Sequence, residues 1–134
     1  MATEVIVFPD AEALAIAYLK SKLSAVTGLK VVTKIPDPRP SKLIKVTRVG
    51  GTKLRLNADS PVLAFECWAP TSVEASDLAK YARAYVNAME GEKVNGVWVY
   101  KVREVGGPVN FPDSETEIPR YQFSVAIDTK GVAL

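Results

Sequence analysis

The 134-residue sequence predicts an α+β fold in which two amphipathic helices pack on one face of a mostly antiparallel sheet. Two segments with helical periodicity alternate with segments rich in β-branched and aromatic residues. Most connections between the expected strands are short enough for antiparallel pairing, and a long loop is expected between the last two strands. No internal repeat or composition shift divides the chain, so residues 1–134 are expected to form one domain.

The first helix is expected to begin after Asp10, which is a good N-cap residue, and to end near Gly28. Ahead of it, residues 1–9 form a short arm whose apolar run at residues 5–8 should pack against the rest of the chain. The apolar residues that recur at helical spacing are Leu14, Tyr18, Leu19, Leu23 and Val26.

Strands are expected at residues 30–35 and 42–49, joined by a stiff proline-rich connection at residues 36–40. The glycine pair in residues 49–52 is interpreted as a turn, because it lacks the spacing of a phosphate-binding loop. Residues 54–59 fit either a short strand or a loop crossing. The next strand is expected at residues 62–69, with Cys67 in the core.

A capping box formed by Thr71 and Glu74 predicts the start of the second helix, which should run to about Met89. Its expected buried stripe is Ala75, Leu78, Ala82, Tyr85 and Met89. Asn95 and Gly96 then predict a tight hairpin turn.

The last third of the chain reads as strand, long loop and strand, at residues 97–105, 106–119 and 121–129. Trp98 and Tyr100, like Trp68 and Tyr121, are expected in the core, as aromatic residues in strands usually are.

The loop contains three prolines and two glycines, so residues 106–119 are not expected to pair with a strand. Its prolines restrict the free chain and its apolar residues can anchor a partner, which favours a docking element. The residues expected at this interface are Gly106, Gly107, Pro108, Val109, Asn110, Phe111, Pro112 and Asp113.

Positive charge is concentrated in residues 30–55, which hold eight basic residues and one acidic residue within a chain of net charge +2. Such a segment fits a face for DNA or an acidic partner, but also an ordinary solvated sheet face. The residues proposed to face DNA or a partner are Lys34, Arg39, Lys45, Arg48, Lys53 and Arg55.

The chain contains no histidine and a single cysteine, which excludes an internal disulfide and every catalytic mechanism that needs histidine. The acidic residues of the loop do not have the spacing of an EF-hand, and a solvated loop is the better interpretation. No catalytic, metal-binding or cofactor-binding residue is identified, and an enzyme is not expected. An enzyme that works through carboxylates alone stays open. No apolar run has the length of a membrane helix, and no signal peptide is recognised, so production inside the cell and no membrane contact are expected.

Five stretches resemble head–tail joining proteins of long-tailed phages that infect actinobacteria, and more specifically their tail terminators. They are residues 8–14, 35–40, 46–51, 104–113 and 119–123, and the last two are the most distinctive. The resemblance implies a non-enzymatic α/β protein that forms a six-membered ring at the head-proximal end of the tail tube. That ring would stop polymerisation of the tube protein and present a surface to the head connector.

The resemblance also implies the partners and the location of the protein. The implied partners are further copies of the chain, the tail tube protein, the connector or stopper proteins, and genomic DNA held without sequence reading in the lumen. The protein would be made in the host cytoplasm and reside at the tail–neck junction of the virion. A head-side adaptor or stopper is the closest alternative, and a basic nucleic-acid-binding module is a more distant one.

Overall fold

The computed structural model describes residues 4–134, so the first three residues of the expected N-terminal arm lie outside the described part. The helices are α1 (Ala11–Lys22) and α2 (Ser72–Asn87). The strands are β1 (Ile6–Val7), β2 (Leu29–Val32), β3 (Lys42–Arg55), β4 (Ala58–Trp68), β5 (Lys93–Val94), β6 (Val97–Asn110), β7 (Arg120–Lys130) and β8 (Val132–Ala133).

Six strands form one sheet in the order β2-β3-β4-β7-β6-β5, and β1 pairs with β8 in a separate two-stranded sheet. Each neighbouring pair in the large sheet is antiparallel except β2 and β3, which run parallel. The predicted α+β class with a mostly antiparallel sheet is therefore confirmed. The proline-rich connection spans residues 33–41 and links the parallel pair.

Both predicted helix starts are confirmed by their caps. The Asp10 carboxylate accepts a hydrogen bond from the Ala13 amide at 3.0 Å, and the Thr71 hydroxyl accepts one from the Glu74 amide at 3.2 Å. The expected end of the first helix is wrong, because α1 stops at Lys22 and Gly28 lies in the turn before β2. The predicted burial of Tyr85 in α2 is wrong, because Tyr85 is exposed and its neighbour Val86 is buried instead.

The helices cover one face of the large sheet and form the core with it. Phe65 on β4 and Phe123 on β7 are register partners, and their rings stack with centroids 4.8 Å apart. Cys67 is fully buried in this core, as predicted, and burial raises the pKa of its thiol. No helix of residues 4–134 is long and apolar enough to cross a membrane.

The turn predicted at residues 49–52 is wrong, because β3 continues to Arg55 and the chain turns only at residues 56–57. The register shifts between Arg48 and Gly50, so the glycine pair belongs to a β-bulge. Gly51 has φ +94°, and a Cβ there would collide with the carbonyl oxygen of Ser60. A bulge and a turn both demand glycine, which is why the sequence did not separate them.

The predicted Asn95-Gly96 hairpin turn is confirmed, with φ angles of 49° and 79°. It sets Val97 opposite Val94 and places Val99 in the core. The expectation that Trp98 and Tyr100 are core residues is wrong, since their exposed fractions are 44% and 39%. In a strand alternate residues face opposite sides, so burial of Val99 directs both neighbours away from the core.

The unpaired loop between the last two strands is shorter than predicted. Gly106 pairs with Ser124, Val109 with Gln122 and Asn110 with Tyr121, so only residues 111–119 lie outside the strands. Pro108 is tolerated because it lies between register shifts on a strand whose outer side has no pairing strand there.

Candidate functional site

The candidate site is the face of the large sheet opposite the helices, here called the open face. Its alternate positions on β4 carry Glu66 and Trp68, whereas Phe65 and Cys67 point to the helices. Charged side chains are concentrated there, at two clusters near opposite ends of the strands. The loop at residues 111–119 and the proline-rich connection at residues 33–41 meet at one of them.

The first cluster is an arginine–aromatic stack made of Arg39, Trp68, Arg120 and Phe111. The guanidinium groups of Arg39 and Arg120 each lie 5.3 Å from the centre of the Trp68 ring. Arg120 also lies 4.8 Å from the centre of the Phe111 ring. Cation–π contacts of this kind are worth about 0.5–1 kcal/mol each at exposed sites and more when desolvated. The stack therefore ties the loop to the proline-rich connection.

Polar contacts fix the same cluster. Arg120 donates from Nε to the Phe111 carbonyl at 2.8 Å and from a terminal nitrogen to Glu66 at 3.3 Å. Arg39 lies 3.7 Å from the Asp113 carboxylate. Arg39 and Asp113 were predicted in two unrelated sites, a basic segment and a loop, and the fold brings them together.

The loop has a defined fold of its own around Asp113. The Asp113 carboxylate accepts a hydrogen bond from the Glu115 amide at 3.0 Å, and its carbonyl accepts one from the Glu117 amide at 2.8 Å. The Glu115 amide is the main reason that the pKa of Asp113 is held below its usual range. No group of three or more histidine, cysteine or acidic side chains in residues 4–134 is placed to hold a metal ion.

The second cluster is centred on Asp128 of β7, which is 3% exposed. Its carboxylate accepts two hydrogen bonds from Arg103, both at 2.9 Å, and one from the Ser60 hydroxyl at 2.7 Å. Arg55 stacks on Tyr100 near this cluster, with 5.4 Å between the guanidinium and the ring centre. A buried carboxylate held in this way fixes the direction of the arginine that faces solvent.

The six predicted basic residues do not form one patch. Lys45 lies 3.9 Å from Glu66, and Arg48 lies 3.1 Å from Asp59. Together with Arg39 and Arg55, which stack on aromatic rings, four of the six are held by neighbours within the chain. The other two, Lys34 and Lys53, are exposed at the β2 side of the sheet.

Sequence analysis missed Arg103, Arg120 and Asp128 as site residues. Arg120 had a local signal, since it directly follows a proline and begins the last long strand. Arg103 and Asp128 had none, because their contact depends on the register between β6 and β7.

The predicted interface residues divide between strand and loop. Gly106, Gly107, Pro108, Val109 and Asn110 belong to β6, while Phe111, Pro112 and Asp113 belong to the loop. Val109 and Phe111 are 59% and 55% exposed, and Val105 is exposed beside them. Three large apolar side chains thus line the end of a strand whose outer side is open, which is the kind of patch that partners cover.

Comparison with known proteins agrees with the resemblance seen in the sequence. A family model described as phage tail termination protein matches residues 7–131, which is nearly the whole chain. No curated protein gives a match.

Proposed function

The chain belongs to the family of phage tail termination proteins, and from this premise we propose that it forms a six-membered ring at the head-proximal end of the tail tube. The ring stops polymerisation of the tube protein and joins the tail to the head connector. The observation that carries the proposal is the family match over residues 7–131. The family is structural rather than catalytic, so the argument concerns surfaces that bind partners.

The loop at residues 111–119 is the proposed surface for the tail tube protein or the connector. Phe111 supplies an apolar anchor, and such anchors usually give most of the binding energy of an interface. The arginine–aromatic stack holds Phe111 in place before binding, so less conformational entropy is lost on docking. The acidic residues of the loop lie around this anchor and are expected to affect association rates more than strength.

The open face is the proposed lining of the lumen through which genomic DNA passes. Lys45, Arg55 and Arg103 present cationic groups there, and DNA would be contacted through its phosphates without sequence reading. Lys45 and Arg103 are already paired with Glu66 and Asp128. Pairing lowers the net positive charge of the face, so DNA is contacted weakly enough to slide.

The experiment is phage complementation with Phe111→Ser. The domain should stay folded, because the side chain is exposed, while tails should grow to uncontrolled length. The matched control is Tyr81→Ser, which removes an aromatic ring of similar exposure from α2 on the helix side of the sheet. Infectious particles of normal tail length at wild-type yield would overturn the proposed role of this surface. Tails of normal length that lack heads would instead indicate a head-side adaptor.

A further inference from the structure

We propose that neighbouring copies of this chain join through the two edges of the large sheet, so that one sheet continues around the ring. At each edge a short outer strand covers only part of the next strand, which leaves a projecting end and a recessed end, here called a step. This inference rests on the ring proposed above and names the surfaces that close it. The two surfaces are the β2 edge, formed by β2 and the unpaired part of β3, and the β5 edge, formed by residues 91–94 and the unpaired part of β6.

The β2 edge projects at one end and is recessed at the other. β2 pairs with β3 only from Lys42 to Lys45. Beyond it the outward amide of Arg48 is bound by the Glu12 carboxylate at 2.6 Å. Within the described residues no strand pairs with the outer side of β3 from there to Arg55, which leaves main-chain groups open to a partner.

The β5 edge has the same step at the opposite end of the strands. Residues 91–94 lie along the start of β6, where Val99 exchanges hydrogen bonds with Gly91 and Glu92 at 2.8 and 3.0 Å. The Glu90 carboxylate then binds the Val102 amide at 3.0 Å. From residue 103 to residue 110, the outer side of β6 has no strand partner in the described part of the chain.

Residues that are register partners across successive strands form rows that cross the sheet. These rows show that the projecting end of each edge lies at the same height along the strands as the recessed end of the other edge. Val32 at the β2 edge and Val109 on β6 lie in one row, through the pairs with Lys45, Glu66 and Gln122. Lys53 on the recessed part of β3 lies in one row with Val99, which binds Glu92, through Asp59 and Thr129. Placed head to tail, β2 of one copy therefore meets the recess of β6, and residues 91–94 meet the recess of β3.

Strand direction suits the first of these contacts. β3 and β6 are separated by three antiparallel pairings, so they run in opposite directions, and β2 runs with β3. A neighbour placed head to tail therefore brings β2 and β6 together as an antiparallel pair, which can form the usual ladder of main-chain hydrogen bonds. The contact uses a different surface on each copy, which is the type that closes rings.

Charge is complementary at both steps. Lys30 is exposed on β2 and lies level with Arg120, through Leu43 and Trp68. The Arg120 carbonyl accepts from the Phe111 amide at the start of the loop that carries exposed Glu115 and Glu117, and Lys34 is exposed just after β2. At the other step the exposed Lys53 lies level with exposed Glu92. Apolar side chains are exposed on both edges as well, including Val49 and Leu54 on β3 and Val105 and Val109 on β6. Opposite charges favour the head-to-tail contact and disfavour contacts between like edges.

The proposed contact also gives the ring a plausible size. Each row holds five strands, so six copies supply about thirty strands, which at a spacing of ~4.8 Å make a ring roughly 46 Å across between backbones before strand tilt. Such a ring places the helices outside and the open face inside, and it is wide enough to pass duplex DNA.

Cross-linking with a short bismaleimide tests the contact on the full chain. Lys30→Cys and Val109→Cys lie about 19 Å apart within one chain, four strand spacings, so a short linker joins them only between copies. Cys67 does not interfere, because it is fully buried and burial raises the pKa of its thiol. A mixture of the two variants should give cross-linked dimers, and each variant alone should give none.

The contact between residues 91–94 and the recessed part of β3 is tested in the same way with Lys53→Cys and Glu92→Cys. The control is Val73→Cys, at an exposed position of α2. Charge reversal adds a second measurement. Lys30→Glu with Lys34→Glu should weaken assembly by about tenfold or more, and a partner chain carrying Glu115→Lys with Glu117→Lys should restore it.

The outcomes separate the edge contact from the ring itself. Assembly by mass measurement without the expected cross-links would overturn the edge contact and leave the ring standing. Cross-links formed by a single variant alone would show like edges together, which also overturns it. A chain that stays monomeric both in solution and in virion necks would overturn the ring and the edge contact together.

Discussion

The two faces of the large sheet are built from alternate residues of the same strands, yet they are held together by different interactions. On β4, Phe65 stacks on Phe123 in a core closed by both helices, while the next residue, Glu66, holds Arg120 and Lys45 on the open face. The helix face excludes water and gains stability from apolar burial. On the open face, each carboxylate instead fixes the orientation of a basic side chain.

The difference teaches which positions are free to serve function. Exposed ion pairs contribute about 0–1 kcal/mol, so the exposed charges of the open face add little to the free energy of unfolding and can be changed without unfolding the chain. The exception is the buried carboxylate of Asp128, which would be left unpaired without Arg103. The core residues have no such freedom. The proposed task of presenting surfaces to a tube, a connector and DNA suits a chain that keeps its stability on one side of each strand and its binding groups on the other.

The largest expected effect is that of Phe65→Ala, which removes a fully buried ring. The free energy of unfolding should fall by about 3–5 kcal/mol, as large-to-small core changes do. The comparison variant is Glu66→Gln, which keeps the shape of the neighbouring open-face residue and should cost less than about 1 kcal/mol. Denaturant unfolding measures both, and equal losses would break the contrast between the faces.

Gly51→Ala should have the next largest effect, because it acts through the backbone rather than through either face. The residue has φ +94°, and its Cβ would meet the Ser60 carbonyl, so a loss of about 1–3 kcal/mol or more is expected. Gly50→Ala is the matched control, since a Cβ at Gly50 meets nothing within 4 Å. Thermal unfolding of the two variants should differ clearly, and a similar shift in both would contradict the assigned bulge.

Features that depend on neighbours in the sequence were predictable, and features that depend on strand pairing were not. The Asp10 and Thr71 caps and the Asn95-Gly96 turn are local, and all three are confirmed. Gly51 was assigned to a turn because a bulge uses the same residue type. Pro108 suggested an unpaired loop, since only the position of β6 at the sheet edge makes it tolerable in a strand.

The candidate site shows the same limit more sharply. The sequence singled out Phe111 and Asp113 as loop residues and Arg39 as a basic residue, and all three lie in the first cluster. Their contact joins residues 74 positions apart, and no periodicity or motif links such positions. Trp68, which holds the cluster together, was expected to be an ordinary core aromatic. The residue types of the cluster could be identified from the sequence, but their contacts could be identified only from the fold.

Trp98→Ala should change stability far less than its residue type suggests. The side chain is 44% exposed, so the loss in the free energy of unfolding should be below about 1 kcal/mol. Val99→Ala, at the buried neighbouring position, should cost more although it removes fewer atoms. Denaturant melts would decide between this expectation and the loss of about 3–5 kcal/mol that a core tryptophan gives.

The smallest expected effect is a local loosening of the loop in acid. The pKa of Asp113 is lowered in the folded chain, chiefly by the Glu115 amide and further by Thr116 and Arg120. A carboxyl with a lowered pKa stabilises the folded loop fully above its ordinary value, about 3.9 for aspartate. The stabilisation is lost as pH falls through the folded pKa, so the window lies below about pH 4 and neutral solutions leave the loop unchanged.

The chemical shift of the Glu115 amide reports this change directly, because that amide donates to the titrating carboxylate at 3.0 Å. It should titrate with an apparent pKa below the ordinary aspartate value, and the titration should disappear in Asp113→Asn, which keeps an oxygen acceptor without the charge. A midpoint at or above about 3.9 would show that the hydrogen bond does not hold the loop. Because Asp113 lies in the loop and is not part of the hydrophobic core, the variant should leave the unfolding free energy nearly unchanged. Such a result would show that the loop is ordered by its own short-range contacts, as a docking element presented by an independently stable core has to be.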